Sequence, residues 1–391
     1  MKKTLYTALV IACALISPAW GNYAEHPDAV KFSEQMTEKH DFSVAEMNGW
    51  LSNAKRVESI ISAMERPAEK VKPWYQYKKH FISDLRISRG VEFWLQHKDT
   101  LTRAESEFGV DAAMIVSIIG VETNYGRNVG SYRVIDALST LAFDYYTTVD
   151  KRESRRLFFT HQLENLFLLA RDQKQDPQSL LGSYAGAMGW GQFMPSSYRD
   201  YAVDFDTDGF ADIWNNPTDA IGSVANYFAK HGWRSGQAVA LRAVLENTAN
   251  GSRPEGTTHI VAAGDTLYAV ANQYGIKVSD LQTTNNLENA RQLSVGQELS
   301  IHTPLKLNQL RRPSTTLGDL KTQGLRALEP ADESRKALPL ELDIGGGSEY
   351  WLGLNNFYVI SRYNPRIKYA MAVYQLSELI RSQYCGPENP C

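Results

Sequence analysis

The stretch that decides the fold is Asp111-Ala-Ala-Met-Ile-Val-Ser-Ile-Ile-Gly-Val-Glu-Thr-Asn-Tyr-Gly-Arg127. It consists of an almost wholly apolar run that is followed by one carboxyl group, that of Glu122. Apolar residues from Asp111 to Val121 predict a helix that is buried on every side, with Asp111 as its N-cap. Glu122 stands at the end of this helix, where partial desolvation would raise its pKa toward the value that a general acid needs. The alternative is a surface glutamate at a frayed helix end, paired with Arg127.

A second acidic residue in a comparably apolar setting is not evident in the sequence. Asp144 and Glu153 are nearby along the chain, but both stand among polar or charged neighbours.

Around this stretch, apolar spacing predicts mainly helical structure in 28–110, 150–172, Asp219–Lys230 and Tyr350–Ser382. The polar segment 305–345 has no assignable pattern. A turn-rich linker at Asn247–Thr257 precedes a compact unit that ends at Ile301. This unit predicts a strand, a helix that starts near Thr266 and stops at Gly275, a second helix capped by Ser279, and a final strand. Helical sequence on both sides of it suggests an insertion into one larger domain.

The length, the net charge and the N-terminal sequence bear on the class of protein. The chain has 391 residues and a formal charge of -3, which gives no support for a nucleic-acid partner. Residues 1–21 combine Lys2 and Lys3, an apolar run and a small-residue end at Gly21, which is the pattern of a signal peptide. Within the same segment, Val10-Ile-Ala-Cys13 also fits a lipid-modified cysteine, so an outer-membrane anchor is the alternative to a free periplasmic protein.

Near the C-terminus, Cys385 and Cys391 predict a small structural disulfide in an oxidising compartment.

An acidic loop follows the Gly-rich segment 182–195. Asp204-Phe-Asp-Thr-Asp-Gly-Phe210 matches the start of an EF-hand loop, with carboxylates at Asp204, Asp206 and Asp208 and the backbone carbonyl of Phe210. Position 12 holds Asn215 in place of the usual glutamate, which predicts weak binding. The alternative is an Asx-turn without metal, but mutual repulsion of the carboxylates favours structural Ca²⁺.

Four separated blocks resemble the membrane-bound lytic murein transglycosylase B family (glycoside hydrolase family 103-like). They are Gly120–Arg127, Ser183–Tyr198, Asp219–Phe228, and Tyr350–Asn364 with Tyr369–Val373. The resemblance implies a lysozyme-like catalytic domain that cleaves the MurNAc-β-1,4-GlcNAc bond without water and forms 1,6-anhydro-MurNAc. Glu122 would act as general acid and then as base, with no catalytic cofactor.

The resemblance also implies the surrounding site. It places Asp219 as a further calcium ligand, and it implies that polar and aromatic residues line the substrate cleft: Ser183, Gln192, Tyr227, Tyr363, Asn364, Tyr369 and, mainly by spacing, Tyr77.

The inserted unit, His259–Ile301, is similar to a LysM domain, which binds glycans that contain N-acetylglucosamine. The resemblance implies a groove with Gly264, Asp265, Thr266 and Leu267 on one side and Asn286, Leu287 and Glu288 on the other. A weak carbohydrate module would hold the enzyme near its immobile substrate. The alternative is a spacer without affinity.

We therefore expect an α+β, mainly helical protein with a small inserted β-α-α-β module. The predicted domains are a signal peptide at 1–21, a catalytic domain at 22–250 and 306–391, and the LysM module at 257–303. The expected partner is the peptidoglycan glycan strand, and we expect a monomer. The alternative functions are a hydrolytic muramidase and a wall-binding scaffold without activity.

Overall fold

The computed structural model describes residues 22–65, 72–145, 152–246, 257–289, 293–301 and 305–386. The predicted signal peptide, Cys13 and Cys391 lie outside the described residues. Within them, no helix has the length and apolar character that a membrane span requires.

The helices of the described residues are, in chain order, α1 (Pro27–His40), α2 (Val44–Asn53), α3 (Glu58–Glu65), α4 (Trp74–Tyr77), α5 (Asp84–Gln96), α6 (Lys98–Phe108), α7 (Ala112–Thr123), α8 (Val134–Phe143), α9 (Arg152–Asp172), α10 (Pro195–Tyr201), α11 (Pro217–Lys230), α12 (Leu267–Gln273), α13 (Val278–Thr284), α14 (Leu317–Thr322), α15 (Asn355–Tyr363) and α16 (Ile367–Tyr384). The strands are β1 (Tyr132–Arg133), β2 (Leu181–Gly182), β3 (Ala240–Leu245), β4 (Thr257–Ile260), β5 (Glu298–Ile301), β6 (Thr315–Thr316), β7 (Leu325–Ala327), β8 (Lys336–Asp343) and β9 (Ser348–Gly353).

The chain forms two compact units. Of the described residues, those within 22–65 and 131–187 form the first unit, and those within 72–130 and 188–386 form the second. In the first unit, α8 packs along α9, α3 packs on α8, and β1 pairs with β2.

Helix α7 forms the core of the second unit, in contact with α5, α6, α11 and α16. All of its residues except Glu122 are buried, as the apolar sequence predicts. Asp111 occupies the N-cap position, but its side chain makes no capping hydrogen bond. Its carboxylate instead pairs with Arg381 on α16 at 3.1 Å.

An antiparallel five-stranded sheet, in the order β6-β8-β9-β3-β7, is the main difference from the sequence prediction. The segment 305–345, which has no assignable pattern, supplies three of these strands. Tyr350–Gly353, which we predicted as helical, belongs to β9. A short run such as Tyr350-Trp-Leu fits a helix or a strand equally well, and pairing with β8 and β3 on either side selects the strand.

The unit from 257 to 301 has the predicted β-α-α-β order. β4 pairs with β5, and α12 and α13 share with them a separate core that includes Val261, Leu267, Leu281 and Leu299. Helix α12 begins beside Thr266, as predicted, and the Thr266 hydroxyl caps it by accepting a hydrogen bond from the Ala269 backbone amide at 3.1 Å. Ser279 was the wrong cap for α13, because that helix already begins at Val278 and Lys277 is its N-cap.

Candidate functional site

Glu122 lies in the last turn of α7, immediately before the chain leaves the helix through Asn124 and Tyr125, both with positive φ. The residue is half-buried. Burial raises the pKa of its carboxyl group to about 7, and a hydrogen bond from the Tyr369 hydroxyl, 2.5 Å from Glu122 Oε1, partly lowers it. The carboxyl group is therefore protonated in a large fraction of molecules near neutral pH.

The alternative of a surface glutamate paired with Arg127 is wrong. Arg127 is exposed, and Glu122 forms no ion pair with a cation of the described residues. Without a nearby cation to stabilise the carboxylate, desolvation sets the protonation state of Glu122.

Thr123 fixes the end of α7 against the Gly-rich segment. Its hydroxyl donates to the carbonyl of Trp190 at 2.9 Å and accepts from the Gly126 amide at 3.0 Å. Gly126 has φ +76°, and a Cβ there would lie 2.5 Å from the Trp190 ring, so only glycine fits. The sequence analysis did not single out Thr123, although it stands within the quoted motif.

Arg86 and Tyr125 support the same helix from the side of α5. The Tyr125 hydroxyl donates to the Arg86 carbonyl at 2.8 Å, and Arg86 Nη1 donates to the Gly120 carbonyl at 2.5 Å. A Cβ on Gly120 would come within 2.6 Å of the Tyr125 hydroxyl oxygen. This close packing holds the last turn of α7, and so Glu122, in one position.

The structure brings three of the predicted tyrosines to Glu122. Tyr369 contacts its carboxyl group, and burial and the nearby Glu122 charge raise the pKa values of Tyr369 and Tyr363 well above the usual range. The same two causes raise the pKa of Tyr77 to about 12. The three phenols therefore stay protonated and can donate hydrogen bonds at any physiological pH.

The other predicted cleft residues have partners within the protein. Tyr363 donates to the Gly191 carbonyl at 2.5 Å, and Tyr227, stacked on the ring of His231, donates to the Arg362 carbonyl at 2.7 Å. Gln192 Nε2 donates to the carbonyls of Val129 and Gly189. These contacts favour a positioning role for the three side chains.

Asn364 and Ser183 are both half-buried. Asn364 ends α15 directly after Tyr363. Ser183 belongs to the first unit, where its hydroxyl accepts from the Ala187 amide at 3.1 Å.

Asp144 differs from the sequence prediction, because it is buried, at 6% exposure, within the first unit. Its carboxylate accepts from the Tyr23 hydroxyl at 2.6 Å and lies 3.7 Å from Arg56. These partners give it a structural ion-pair network. Glu153 is exposed and pairs with Arg156, as its charged surroundings predict.

The acidic loop gathers four carboxylates: one oxygen each from Asp204, Asp206, Asp208 and Asp219 lie within 4.8 Å of one another. Asp219 is fully buried and accepts from the backbone amides of Phe205 and Asp212 at 2.7 and 2.8 Å. Desolvation raises the pKa of Asp219, so an isolated charge is disfavoured there. Clustered carboxylate oxygens of this kind are the hard donors that Ca²⁺ takes as ligands.

Asn215, at position 12 of the loop pattern, turns its amide toward Asp212 at 3.2 Å. Asp219 takes its place in the cluster, as the resemblance implies. Gly209, with φ +102°, allows the turn between Asp208 and Phe210.

The residues predicted for the groove of the inserted module do not all lie together. Asn286, Leu287 and Glu288 line a hollow of about 420 Å³ together with Ser279, Gln282 and Thr283 of α13. Gly264, Asp265, Thr266 and Leu267 do not line this hollow. Leu267 is 1% exposed and belongs to the core of the module, while Asp265 pairs with His259 at 3.0 Å.

Cys385 is disulfide-bonded, at the end of α16. Its predicted partner, Cys391, lies outside the described residues.

Comparison with known proteins assigns the family. The family described as "Transglycosylase SLT domain" matches residues 24–297 and 285–378. The chain belongs to this family.

Similar proteins of known name agree with this assignment. The chain is 38% identical over 369 residues to the membrane-bound lytic murein transglycosylase B of Escherichia coli, covering 92% of this chain and 84% of that protein. The crystal structure of soluble lytic transglycosylase SltB1 from Pseudomonas aeruginosa is 42% identical, with a TM-score of 0.71 and coverage of 91% and 99%. The Escherichia coli lytic transglycosylase Slt35 in complex with calcium is 37% identical, with a TM-score of 0.69 and coverage of 93% and 96%.

Proposed function

We propose that this chain is a lytic transglycosylase that cleaves the MurNAc-β-1,4-GlcNAc bond, with Glu122 as general acid and then general base. Membership of the transglycosylase family makes it a peptidoglycan-cleaving enzyme. The observation that carries the proposed role is the Glu122 carboxyl group, whose pKa of about 7 suits both the donation and the acceptance of a proton at neutral pH.

The reaction then has two proton transfers through the same residue. Protonated Glu122 gives its proton to the glycosidic oxygen as the bond between that oxygen and the muramic C1 breaks. The C6 hydroxyl oxygen of the same sugar bonds to C1, and its proton returns to the Glu122 carboxylate. The reaction consumes no water. It leaves Glu122 protonated again and a 1,6-anhydro ring on the muramic acid.

Tyr369 supports both states of Glu122. Its hydroxyl donates to the carboxylate after the first transfer and, by rotating, can accept from the protonated form. Tyr77 is a candidate donor to the substrate.

The hydrolytic alternative requires a second carboxylate beside the sugar. Among the acids of the second unit that the structure describes, Asp219 is the one with a fully buried side chain. Its oxygens accept hydrogen bonds from two backbone amides and lie in the acidic cluster, so they are not available to a sugar. This observation favours the lyase over the muramidase.

A reducing-end assay tests this assignment. Purified peptidoglycan treated with the enzyme should release soluble fragments without a matching rise in reducing ends, because the anhydro ring closes each new end. A rise of one reducing end for each bond cut would identify a hydrolase. Fragment release that fails altogether would favour a wall-binding scaffold.

The pH dependence should follow Glu122. Because the acid must be protonated in the free enzyme, kcat/KM should fall above an apparent pKa of about 7. Tyr369→Phe removes the hydrogen bond that lowers this pKa. The fall in kcat/KM on the alkaline side of the pH profile should therefore move to higher pH. A profile that stays flat between pH 6 and 9, or a limb that moves down in the variant, would contradict the role of Glu122.

We also propose that the acidic loop binds structural Ca²⁺ through Asp204, Asp206, Asp208, Asp219 and the Phe210 carbonyl. The clustered oxygens support this site, and one similar structure was determined in complex with calcium. The ion would hold the loop between α10 and α11 and would supply no catalytic chemistry.

The unit 257–303 is proposed to be a LysM module that binds the glycan strand. Its separate core and its β-α-α-β order support an independently folded insert. Thr257 pairs with Ile301, so the two ends of the module lie side by side. An insertion into a surface loop requires this arrangement.

Replacement of 257–301 by a short Gly-Ser linker tests the module. We expect binding to insoluble peptidoglycan to weaken about tenfold or more, while cleavage of short soluble glycans is retained. Co-sedimentation with sacculi and a soluble-substrate assay measure the two properties. Unchanged sedimentation would identify the insert as a spacer.

We also propose that residues 1–21 direct export. The exported protein would be either free in the periplasm or anchored to the outer membrane as a lipoprotein through Cys13. A monomer is proposed, and the oligomeric state can be measured by light scattering.

A further inference from the structure

Helix α9 of the first unit carries two adjacent apolar side chains that face solvent near its start. Leu157 is 54% exposed and Phe158 is 47% exposed, while the opposite side of the helix packs along α8. Single exposed apolar residues are ordinary on a protein surface, but two large ones side by side form an area that water solvates poorly. This area therefore suits contact with an apolar phase or with another molecule.

A cation stands beside these two side chains. Arg155 is exposed, lies one helical turn before Phe158, and forms no ion pair with a carboxylate of the described residues. In sequence, 151–156 holds four cations and one carboxylate, so the stretch has a net positive charge. Arg155, Leu157 and Phe158 together form the α9 patch.

The carboxylates near the α9 patch are paired and do not cancel its charge. Glu153 lies 2.7 Å from the guanidinium of Arg156. Asp28 of α1, whose charge also acts on Arg156, pairs with Lys31 at 3.8 Å. Arg155 therefore remains available to an anion outside the protein.

A cation next to exposed leucine and phenylalanine side chains is typical of a helix that rests on an anionic bilayer. The cation approaches the lipid phosphates, and the apolar side chains enter the boundary between the headgroups and the acyl chains. An acidic polysaccharide would use Arg155 and leave Leu157 and Phe158 in water. An uncharged protein surface would use the apolar pair and leave the cation without a partner. An anionic phospholipid surface uses both.

The chain enters the first unit close to the α9 patch. Tyr23 contacts Phe143 at 5.4 Å between ring centroids. Two residues after Phe143, Tyr145 contacts Phe159 at 6.2 Å, and Phe159 contacts Phe158 at 5.1 Å. A short series of ring contacts therefore connects the start of the described chain to the patch.

This position is compatible with either form of the exported protein. Cys13 lies nine residues before Asn22, and a chain of that length reaches roughly 30 Å when extended. A lipid on Cys13 would thus keep the α9 patch within reach of the same bilayer. In a protein cleaved after Gly21, the patch alone would give a weak and reversible contact.

We propose that the α9 patch is a membrane-contact surface through which the first unit docks on a bilayer that contains anionic phospholipids. Arg155 binds the lipid phosphates, and Leu157 and Phe158 insert between the headgroups. This interaction goes beyond the proposed cleavage of glycan strands and does not depend on it.

Co-sedimentation with vesicles tests the α9 patch. The mature protein, which begins at Asn22 under the proposed export signal and carries no lipid, is mixed with two kinds of vesicle: phosphatidylcholine alone, and equal parts of phosphatidylglycerol and phosphatidylcholine. We expect binding to the anionic vesicles to be about tenfold stronger than to the neutral ones and to weaken as salt is added. Arg155→Gln/Leu157→Gln/Phe158→Gln should lower the partition coefficient on anionic vesicles about tenfold or more.

The matched control is Arg311→Gln/Leu95→Gln/Leu328→Gln. It replaces one exposed cation and two apolar side chains of similar exposure, 50% and 53%, which belong to the second unit. The control should keep the wild-type partition coefficient, and thermal unfolding checks that both variants are folded.

An environment-sensitive dye on Phe158→Cys gives a readout that leaves the rest of the α9 patch in place. Its emission should shift to the blue on anionic vesicles, because the dye leaves water, whereas the same dye on Leu328→Cys should not respond. This measurement decides the case even if the triple variant does not fold.

The proposal is overturned if the wild type does not bind anionic vesicles, or if it binds neutral vesicles equally well. An unchanged partition coefficient in the variant, an equal loss in variant and control, or a dye at 158 that does not respond would also overturn it. Light scattering covers the remaining occupant: a wild-type dimer that the variant converts to a monomer would show that a second copy of this chain covers the patch.

Discussion

Glu122→Gln should lower kcat by about a thousandfold or more, because the same carboxyl group supplies the proton in the first step and removes one in the second. Glutamine keeps the shape of the side chain and a contact with Tyr369 but cannot transfer a proton. Release of soluble fragments from purified peptidoglycan measures the loss. The matched control is Glu378→Gln, an exposed carboxyl group on α16, which should keep the wild-type rate.

Thermal unfolding separates a catalytic role from a folding defect. Burial raises the folded-state pKa of Glu122 to about 7, so its contribution to stability is fully present below pH 4.5 and is lost as pH rises to 7. Glutamine does not titrate, so the variant should be at least as stable as wild type at pH 8. A variant that retains a tenth of the wild-type kcat, or one that is unfolded at every pH, would contradict this account of Glu122.

Calcium should raise the melting temperature by about 3–5 °C when present at roughly a hundredfold excess over its dissociation constant, which corresponds to about 2.7 kcal/mol. The reason is that four clustered carboxylates repel one another until a cation neutralises them. Differential scanning calorimetry of chelator-treated protein, with and without added Ca²⁺, measures the shift. Magnesium should give a smaller shift, because its rigid octahedral shell suits this loop poorly.

Asp204→Asn/Asp208→Asn should abolish the calcium response and should stabilise the metal-free protein, since two like charges are removed. Asp200→Asn, an exposed carboxylate on α10, is the control and should keep the full response. If calcium does not change the melting temperature of the wild type, the loop is an Asx-turn without metal.

The sequence was most informative where structure is decided locally. The apolar run before Glu122 predicted a buried helix because nothing in it could face water. In the insert, Thr266 and Gly275 marked the ends of α12 because capping and left-handed conformations depend on residue type.

The sheet could not be predicted in the same way. β3 pairs with β9 and β7, strands that lie far from it along the chain, and short strands such as β7 carry little pattern of their own. Tyr350–Gly353 shows the consequence: its residues suit a helix or a strand, and only distant pairing decides between them.

The site shows the same limit. Tyr369 contacts Glu122 across 247 residues of sequence, and the family resemblance, rather than any local rule, singled it out. Thr123 stands within the Gly120–Arg127 block, but nothing in that block showed that its hydroxyl would bond to the Trp190 carbonyl. Arg86, which donates to the Gly120 carbonyl, has no distinctive pattern around it.

The central claim is that the glycan is cut without water, and product mass spectrometry in heavy-oxygen water tests it most directly. Peptidoglycan digested in this solvent should yield 1,6-anhydro-muropeptides that carry no heavy oxygen, and the Glu122→Gln variant should yield none. Reducing-end muropeptides that carry one heavy oxygen atom for each bond cut would show that water is the acceptor and would contradict the claim.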